Sequence, residues 1–342
     1  MQTREIVLAR RPEGLARPSD FGLEMRALSP LQPGCVRVRA LYWAADPGMR
    51  ARLGGVRSYV EPVAIGGVVG GAAIAEVLES RSDRFAAGDL VTGLLGWREA
   101  GDFPEAALKK APERGGMPAS ALLGLLGTPG MTAYFGIGEV GRVQAGDTVL
   151  VTSAAGAVGA VAGQIARLRG AHVVGLAGSD AKAAWLTAEA GFAQAANYRQ
   201  FDDLSTALGR LFPEGIDVLF DNVGNRMVDA ALPHMKLRGR IVVCGQTEDY
   251  SIAPERRHGI RNTSHVISQR LRIEGLLAYD HAARYGEAIA HIRDWWQAGE
   301  LVAREDIVEG FEQLPIAFCD LFEGQSFGRK LVAASLQGGP AR

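Results

Sequence analysis

Three cysteines in 342 residues, Cys35, Cys244 and Cys319, are too few and too scattered for a disulfide framework, and none forms the C-x-x-C pair of a structural zinc site. Six histidines without metal-ligand spacing supply no catalytic metal set. Charge of one sign is also lacking: the formal net charge of -1 gives no field to draw nucleic acid or an anionic membrane surface. The cluster Arg256-Arg257-His258 is short and isolated, as a solvated loop would be. No run approaches the ~18 apolar residues of a membrane span. The opening MQTREIVLARRPEG holds no signal-peptide core, so a cytoplasmic location is expected. What remains is a chain with 47% hydrophobic residues, enough for a large core in about two domains.

The most informative stretch is 147–182, DTVLVTSAAGAVGAVAGQIARLRGAHVVGLAGSDAK. It reads as strand, small-residue turn, helix, strand and loop. Ala154, Gly156 and Gly159 form an A-x-G-x-x-G version of the dinucleotide fingerprint, after the β-branched run Val149 to Val151. Val158, Val161, Ala162, Ile165 and Leu168 then recur at helical spacing, and Gly170 marks the stop. Small residues let the chain turn tightly and bring backbone N–H groups close to a pyrophosphate. The helix N-terminus supplies unpaired donors and partial positive charge to that anion. With 44 glycines in the chain, the pattern alone is weak; its place between strand and helix carries the reading.

The end of the second strand selects the nucleotide. An NAD site places an Asp or Glu about 20 residues beyond the start of the fingerprint. The strand His172 to Ala177 ends instead on Ala177-Gly178-Ser179, and Lys182 lies within reach of a 2′-phosphate. Asp180 is the rival, although Ser179-Asp180 also reads as the N-cap and first turn of the next helix. The balance favours NADP(H). Lys182 is also compatible with an ordinary exposed helix lysine.

Composition divides the chain. Residues 1–122 hold short β-like runs broken by Gly and Pro, at Glu5–Ala9, Cys35–Tyr42, Gly71–Leu78 and Asp89–Leu94. Residues 123–306 alternate strands and helices, with strands at Thr148–Thr152, His172–Ala177, Gln194–Tyr198, Val218–Asn222, Ile241–Cys244 and Arg272–Ala278. That alternation predicts an α/β fold, a doubly wound parallel sheet binding ligand at its carboxyl edge. Residues 307–342 read as strand, short helix and strand, returning to the first domain. The active site is expected in the cleft between domains.

These segments resemble a known family. IVLARRPEG near the start, LYWAADPGMR at 41–50, LLGTPGMTAYFGIGEVG at 125–141, the 147–182 stretch, FDNVGNRMVDAALPHMKLRGRIVVCG at 220–245, RLRIEGLL at 270–277 and LFEGQSFGRKLV at 321–332 carry the likeness nearly end to end. The chain resembles the zinc-independent, leukotriene B4 dehydrogenase-like branch of the medium-chain dehydrogenase/reductase superfamily. That branch includes alkenal/one double-bond reductases, prostaglandin reductases and curcumin reductase. The resemblance implies a Rossmann-type sheet inserted into a β-rich, GroES-like catalytic domain. It implies NADP(H) as cofactor, a small electrophilic alkene as substrate, and a homodimer joined edge to edge through the nucleotide domains.

The same resemblance assigns cofactor contacts. The phosphate turn falls on Ala155, Gly156, Ala157, Val158 and Gly159, and the adenosine phosphate on Ser179, Lys182 and Tyr198. Asn222 falls on the nicotinamide side, though an Asn before Val-Gly also suits a turn. Cys244, Gly245, Leu276 and Leu277 match contacts to the ribose and carboxamide. Ser326 replaces an Asn that usually meets cofactor phosphate. Other departures are Gly48 in Asp46-Pro47-Gly48-Met49-Arg50, where the family has Tyr, and Thr128, where many members carry Met.

Zinc-dependent relatives would carry a Cys near Ala44-Ala45-Asp46 and a G-H-E motif about twenty residues on. Here the second region reads Ile65-Gly66-Gly67-Val68, so no metal is expected. The accessible chemistry is then NADPH-dependent hydride transfer to the β-carbon of an α,β-unsaturated aldehyde or ketone, with charge building on the carbonyl oxygen. Tyr250, in the CGQTEDYS loop, matches the active-site tyrosine of the family and is the candidate catalytic residue; a phenol can bond the enolate or the ribose. Packing is the favoured role of Tyr42 and Tyr279. A quinone reductase of the same superfamily and a non-catalytic NADPH-binding protein are the alternatives.

Overall fold

The computed structural model describes residues 1–54 and 61–335; the end of the 307–342 segment lies outside them. The chain opens with β1 (Gln2–Leu8) and β2 (Phe21–Ala27), paired antiparallel with Leu8 opposite Phe21. The sequence reading finds β1 and passes over β2, although Phe21, Leu23, Met25 and Ala27 alternate; in the fold Leu23 and Met25 are exposed. Next come β3 (Cys35–Ala44), α1 (Met49–Leu53), β4 (Ala73–Ser80), β5 (Leu90–Gly93), β6 (Ala100–Pro104) and β7 (Lys109–Lys110). β6 also escapes sequence reading, since AGDFP looks like loop punctuation. Its Pro104 sits opposite Cys35 at the end of the ladder, where a missing N–H is tolerated.

The second unit begins with α2 (Thr128–Phe135) and then alternates: β8 (Thr148–Val151), α3 (Gly159–Leu168), β9 (His172–Ala177), α4 (Asp180–Ala188), β10 (Gln194–Asn197), α5 (Leu204–Leu211) and β11 (Ile216–Asp221). It continues through α6 (Asn225–Ala231), β12 (Met235–Val243), α7 (Ser264–Ser268), β13 (Arg272–Gly275) and α8 (Tyr285–Gln297). The six strands lie in the order β10-β9-β8-β11-β12-β13, and every pair is parallel. Strand order reverses between β8 and β11, the switch point at which such Rossmann sheets bind dinucleotides. Val149, Leu150, Val151, Val218, Leu219 and Phe220 are buried, as expected of central strands covered on both faces.

The chain closes with β14 (Glu305–Glu309), α9 (Leu314–Glu323) and β15 (Arg329–Ala333). β15 pairs with β3, giving a seven-stranded mixed sheet in the order β14-β15-β3-β4-β5-β7 with β6 also on β3. By contacts, Met1–Leu123 with Glu305–Arg342 form one compact unit and Gly124–Arg304 the other. The core of the first unit gathers Leu8, Trp43, Leu53, Trp97, Phe311 and Phe318. Among the described residues no helix is long and apolar enough to cross a membrane.

Candidate functional site

The fingerprint occupies the turn from β8 into α3, and its small residues have distinct tasks. A Cβ on Gly159 would lie 2.5 Å from Ser153 O and 2.9 Å from Ala154 Cα, closer than backbone can yield. At Gly156 the nearest contact would be 3.1 Å, again to Ser153 O. Ala154 stands in for the first glycine because the left-handed residue is its neighbour Ser153, at φ 47°. The Ala154 N–H donates to Leu176 O at 2.9 Å, tying the turn to β9. Close helix–sheet packing comes from Gly163, whose Cβ would sit 1.9 Å from the Phe192 ring. Ala155 and Gly159 are buried, whereas Gly156, Ala157 and Val158 are half-buried at the start of α3. At this turn Gly156 N donates to Ser153 O at 2.9 Å and Ala160 N to Gly156 O at 3.1 Å, and the helix N-terminus beyond them carries the partial positive charge that suits a phosphate.

At the end of β9, Ser179 is the N-cap of α4, its Oγ accepting from Lys182 N at 3.3 Å. Asp180 is engaged elsewhere. Its carboxylate accepts from Asn197 Nδ2 and Gln200 Nε2, each at 2.9 Å. The rival acid is thus occupied by the loop after β10. Tyr198 belongs to that loop: its Cε1 lies 3.7 Å from the Cβ position of Gly178.

The switch point holds a buried network that sequence reasoning missed. Thr152 Oγ1 donates to Asp221 Oδ1 at 2.7 Å and accepts from Asn222 N at 2.9 Å. Asn222 Nδ2 donates to Thr152 O at 2.8 Å, and Gly224 N donates to Asp221 Oδ2 at 2.9 Å. Burial pushes the Asp221 carboxyl up to about 6; the hydrogen bonds from Thr152, Val223 and Gly224 oppose the rise. Asn222 is thereby held by β8 and β11 together. The available signal was the Asp preceding Asn222 at a strand end, a polar residue in an apolar run.

The remaining candidates follow β12 and β13. Cys244 N and Gly245 N donate to Asp221 O at 2.8 and 3.2 Å. A Cβ on Gly245 would meet Asn222 O at 3.1 Å. Burial, with Asp221 nearby, pushes the Cys244 thiol up to about 12, so it stays protonated. Tyr250 N donates to Gln246 O at 3.2 Å, in a loop that bonds back to Asn222 through Thr247 Oγ1 and to Val223 through Glu248 N. Leu276 is buried and its N–H donates to Val243 O, while Leu277 is exposed. All these residues follow carboxyl ends of one parallel sheet. Ser326 belongs to the other unit, in the loop between α9 and β15.

In that unit the Asp46-to-Arg50 motif is structural. Asp46 pairs with Arg329, and the buried Arg50 donates to Pro12 O and Gly14 O. Among the described residues no group of three or more His, Cys, Asp or Glu could hold a metal ion.

A doubly wound parallel sheet with a small-residue turn at its reversal of strand order is the architecture of dinucleotide-binding domains. Family models agree: residues 4–110 match an N-terminal domain of oxidoreductase, and residues 157–294 match a family described as zinc-binding dehydrogenase. The NADP(+)-dependent 2-alkenal reductase of Nicotiana tabacum is 39% identical over 98% of both chains. Prostaglandin reductase 1 of Bos taurus is 37% identical over 94% of this chain and 96% of its own. Crystal structures of CurA from Vibrio vulnificus, one with NADPH, align at a TM-score of 0.91 with 32% identity over 98% of this chain and 100% of theirs. The chain belongs to the zinc-independent branch of the medium-chain dehydrogenase/reductases and is an NADP-dependent oxidoreductase. The zinc named in the second family's description has no matching donor set among the described residues.

Proposed function

We propose that this enzyme reduces the C=C bond of α,β-unsaturated aldehydes and ketones, with Tyr250 as its catalytic residue. The observation that carries the reading is the 39% identity to an NADP(+)-dependent 2-alkenal reductase across nearly the whole of both chains. Bound NADPH supplies the hydride that reaches the β-carbon. One proton completes the α-carbon, so each turnover consumes NADPH and H⁺ and yields a saturated carbonyl. The Tyr250 phenol hydrogen-bonds the substrate oxygen as charge develops there. Asn222, fixed by Thr152, lines the nicotinamide side, and Cys244, Gly245, Leu276 and Leu277 flank the ribose and carboxamide. Ala155 to Gly159 hold the pyrophosphate through backbone N–H groups, while Ser179, Lys182 and Tyr198 serve the adenosine phosphate. Ser326, in place of the Asn usual there, shortens or removes a phosphate contact. Substrate is bound by the β-rich domain of residues 1–122 and 307–342.

The reading includes a cytoplasmic homodimer. Three free cysteines suit a reducing compartment. β13 is an edge strand with Ile273 41% exposed, an edge that pairing would cover.

The deciding experiment offers alkenals, cyclic enones, nitroalkenes and quinones separately with NADPH, following NADPH loss and product structure. Saturated aldehydes and ketones are expected as dominant products. Quinone turnover exceeding enone turnover would make this a quinone reductase. NADPH binding without oxidation across the panel would make it a binding protein. Sedimentation equilibrium checks the dimer, which Ile273→Asp should convert to monomer.

A further inference from the structure

We propose that Arg199, set against Gly178, is a second cation for the 2′-phosphate of the cofactor and helps to select NADP(H) over NAD(H). Three observations lead there. β9 and β10 are parallel neighbours with Ala177 in register with Asn197, so Gly178-Ser179 and Tyr198-Arg199 leave the sheet side by side. The Arg199 guanidinium lies against Gly178, with Nε 3.6 Å and Cζ 3.8 Å from where a Cβ would be. Among the described residues that guanidinium has no hydrogen bond or ion pair, although Asp180 is close by in the same loop cluster.

The loop is built to keep it so. Asn197 Oδ1 accepts from Arg199 N at 3.2 Å and caps the short turn Tyr198–Gln200. Asn197 Nδ2 and Gln200 Nε2 both donate to Asp180. Two neutral amides thus bond the Asp180 carboxylate, with which Arg199 forms no ion pair.

Gly178 supplies independent support. Its φ lies outside the left-handed region, so the backbone does not demand glycine. A Cβ there would meet its nearest neighbours at 3.6 to 3.8 Å, ordinary van der Waals contact, so packing does not demand it either. Glycine at this position leaves space between the end of β9 and Arg199, where a side chain would stand between the ribose 2′ position and the guanidinium. A planar fork of donors suits a phosphate better than a point charge does. Lys182 belongs to α4 and Arg199 to the turn after β10, so the two cations come from different elements.

The test is equilibrium binding of 2′,5′-ADP and of 5′-AMP to the full chain by calorimetry. Arg199→Gln should raise the Kd of 2′,5′-ADP roughly tenfold or more and leave that of 5′-AMP within about twofold, the loss expected for one charged contact. Arg199→Lys should recover part of the loss, because charge remains while the fork is gone. Gly178→Asp should weaken 2′,5′-ADP strongly in the parent chain and less in the Arg199→Gln background, since the new carboxylate would pair with Arg199. An unchanged Kd for 2′,5′-ADP in Arg199→Gln, or equal losses for both nucleotides, overturns the proposal. Independent effects of Gly178→Asp and Arg199→Gln overturn it too. A parent chain that binds 2′,5′-ADP no tighter than 5′-AMP would instead remove the 2′-phosphate site altogether.

Discussion

The two sheets gather residues in opposite ways. In the parallel sheet every strand points the same way, so the turns after β8 to β13 share one edge, and residues from Ala155 to Leu277 converge there although they are scattered along the chain. In the mixed sheet most neighbours run antiparallel, so successive strand ends alternate between two edges. Its long-range polar contacts serve the fold: Asp46 with Arg329, Arg50 with Pro12 and Gly14, Cys319 with Ala16. A parallel sheet turns spacing in sequence into proximity in space; a mixed one requires the pairing to be known first.

That comparison is tested hardest at the turn after β8. Gly159→Val drives a side chain into Ser153 O and Ala154 Cα, both backbone. The expected result is loss of NADPH binding on the order of a thousandfold or more, because several charged N–H contacts of about 1.5 to 3 kcal/mol each depend on that turn. Gly156→Ala, at 3.1 Å, should do much less. Fluorescence titration with NADPH, beside a melting curve, separates lost binding from unfolding. Equal binding by both variants would refute the assigned roles.

Next in size is Tyr250→Phe. Loss of one donor to a developing oxyanion costs about 2.7 to 4 kcal/mol, so kcat on an enone should fall by roughly a hundredfold to a thousandfold while the NADPH Kd changes little. Wild-type kcat at saturating NADPH, with chemistry shown to limit turnover, would make Tyr250 a packing residue.

Asp221 should leave its mark on stability. The unfolded carboxyl titrates near 3.8 and the folded one at about 6, so between these values the native chain keeps a proton that the unfolded chain has lost. Stability therefore falls as pH rises through that window, by about 3 kcal/mol, and is level above it. Asp221→Asn should flatten the slope. It also sets an amide against the Gly224 N–H, at a cost of about 1 to 3 kcal/mol. Urea unfolding from pH 4 to pH 7 measures both.

These residues also mark the limit of legibility. The A-x-G-x-x-G turn and the strands around it were readable because each requirement, small residues and an apolar period, is local. Ser179 as the N-cap of α4 was readable from the Ser-Asp pair that follows β9. The bond between Thr152 and Asp221 joins strands that are neighbours only through the reversal of strand order, and no local pattern reports it. Arg199 lies beyond β10, and its proximity to Gly178 depends on the register of two strands. β6 escaped because Gly and Pro mask its short run, and β2 was passed over although its apolar residues alternate.

Lys182→Ala should raise the NADPH Kd roughly tenfold to a hundredfold and leave NADH use nearly unchanged, as one charged contact would. The ratio of kcat/KM for the two cofactors reads this directly. Equal losses would place Lys182 among residues that hold α4 in place.

The smallest expected effect belongs to the mixed sheet, where zinc-dependent relatives would hold their metal. Two positions decide it. Asp46 has its carboxylate engaged by Arg329, so the segment Ala44-Ala45-Asp46 offers no free ligand. The segment Ile65-Gly66-Gly67-Val68 is a turn closed by Gly67 N donating to Ala64 O at 2.9 Å, and it carries no imidazole or carboxylate. A catalytic zinc needs three protein ligands, and no cluster of that size exists among the described residues. Exhaustive dialysis against EDTA or phenanthroline should therefore leave the enone rate unchanged. A rate that falls on chelation and returns with zinc, but not with dilution of the chelator, would show that the β-rich unit assembles a metal site from residues its sequence does not advertise.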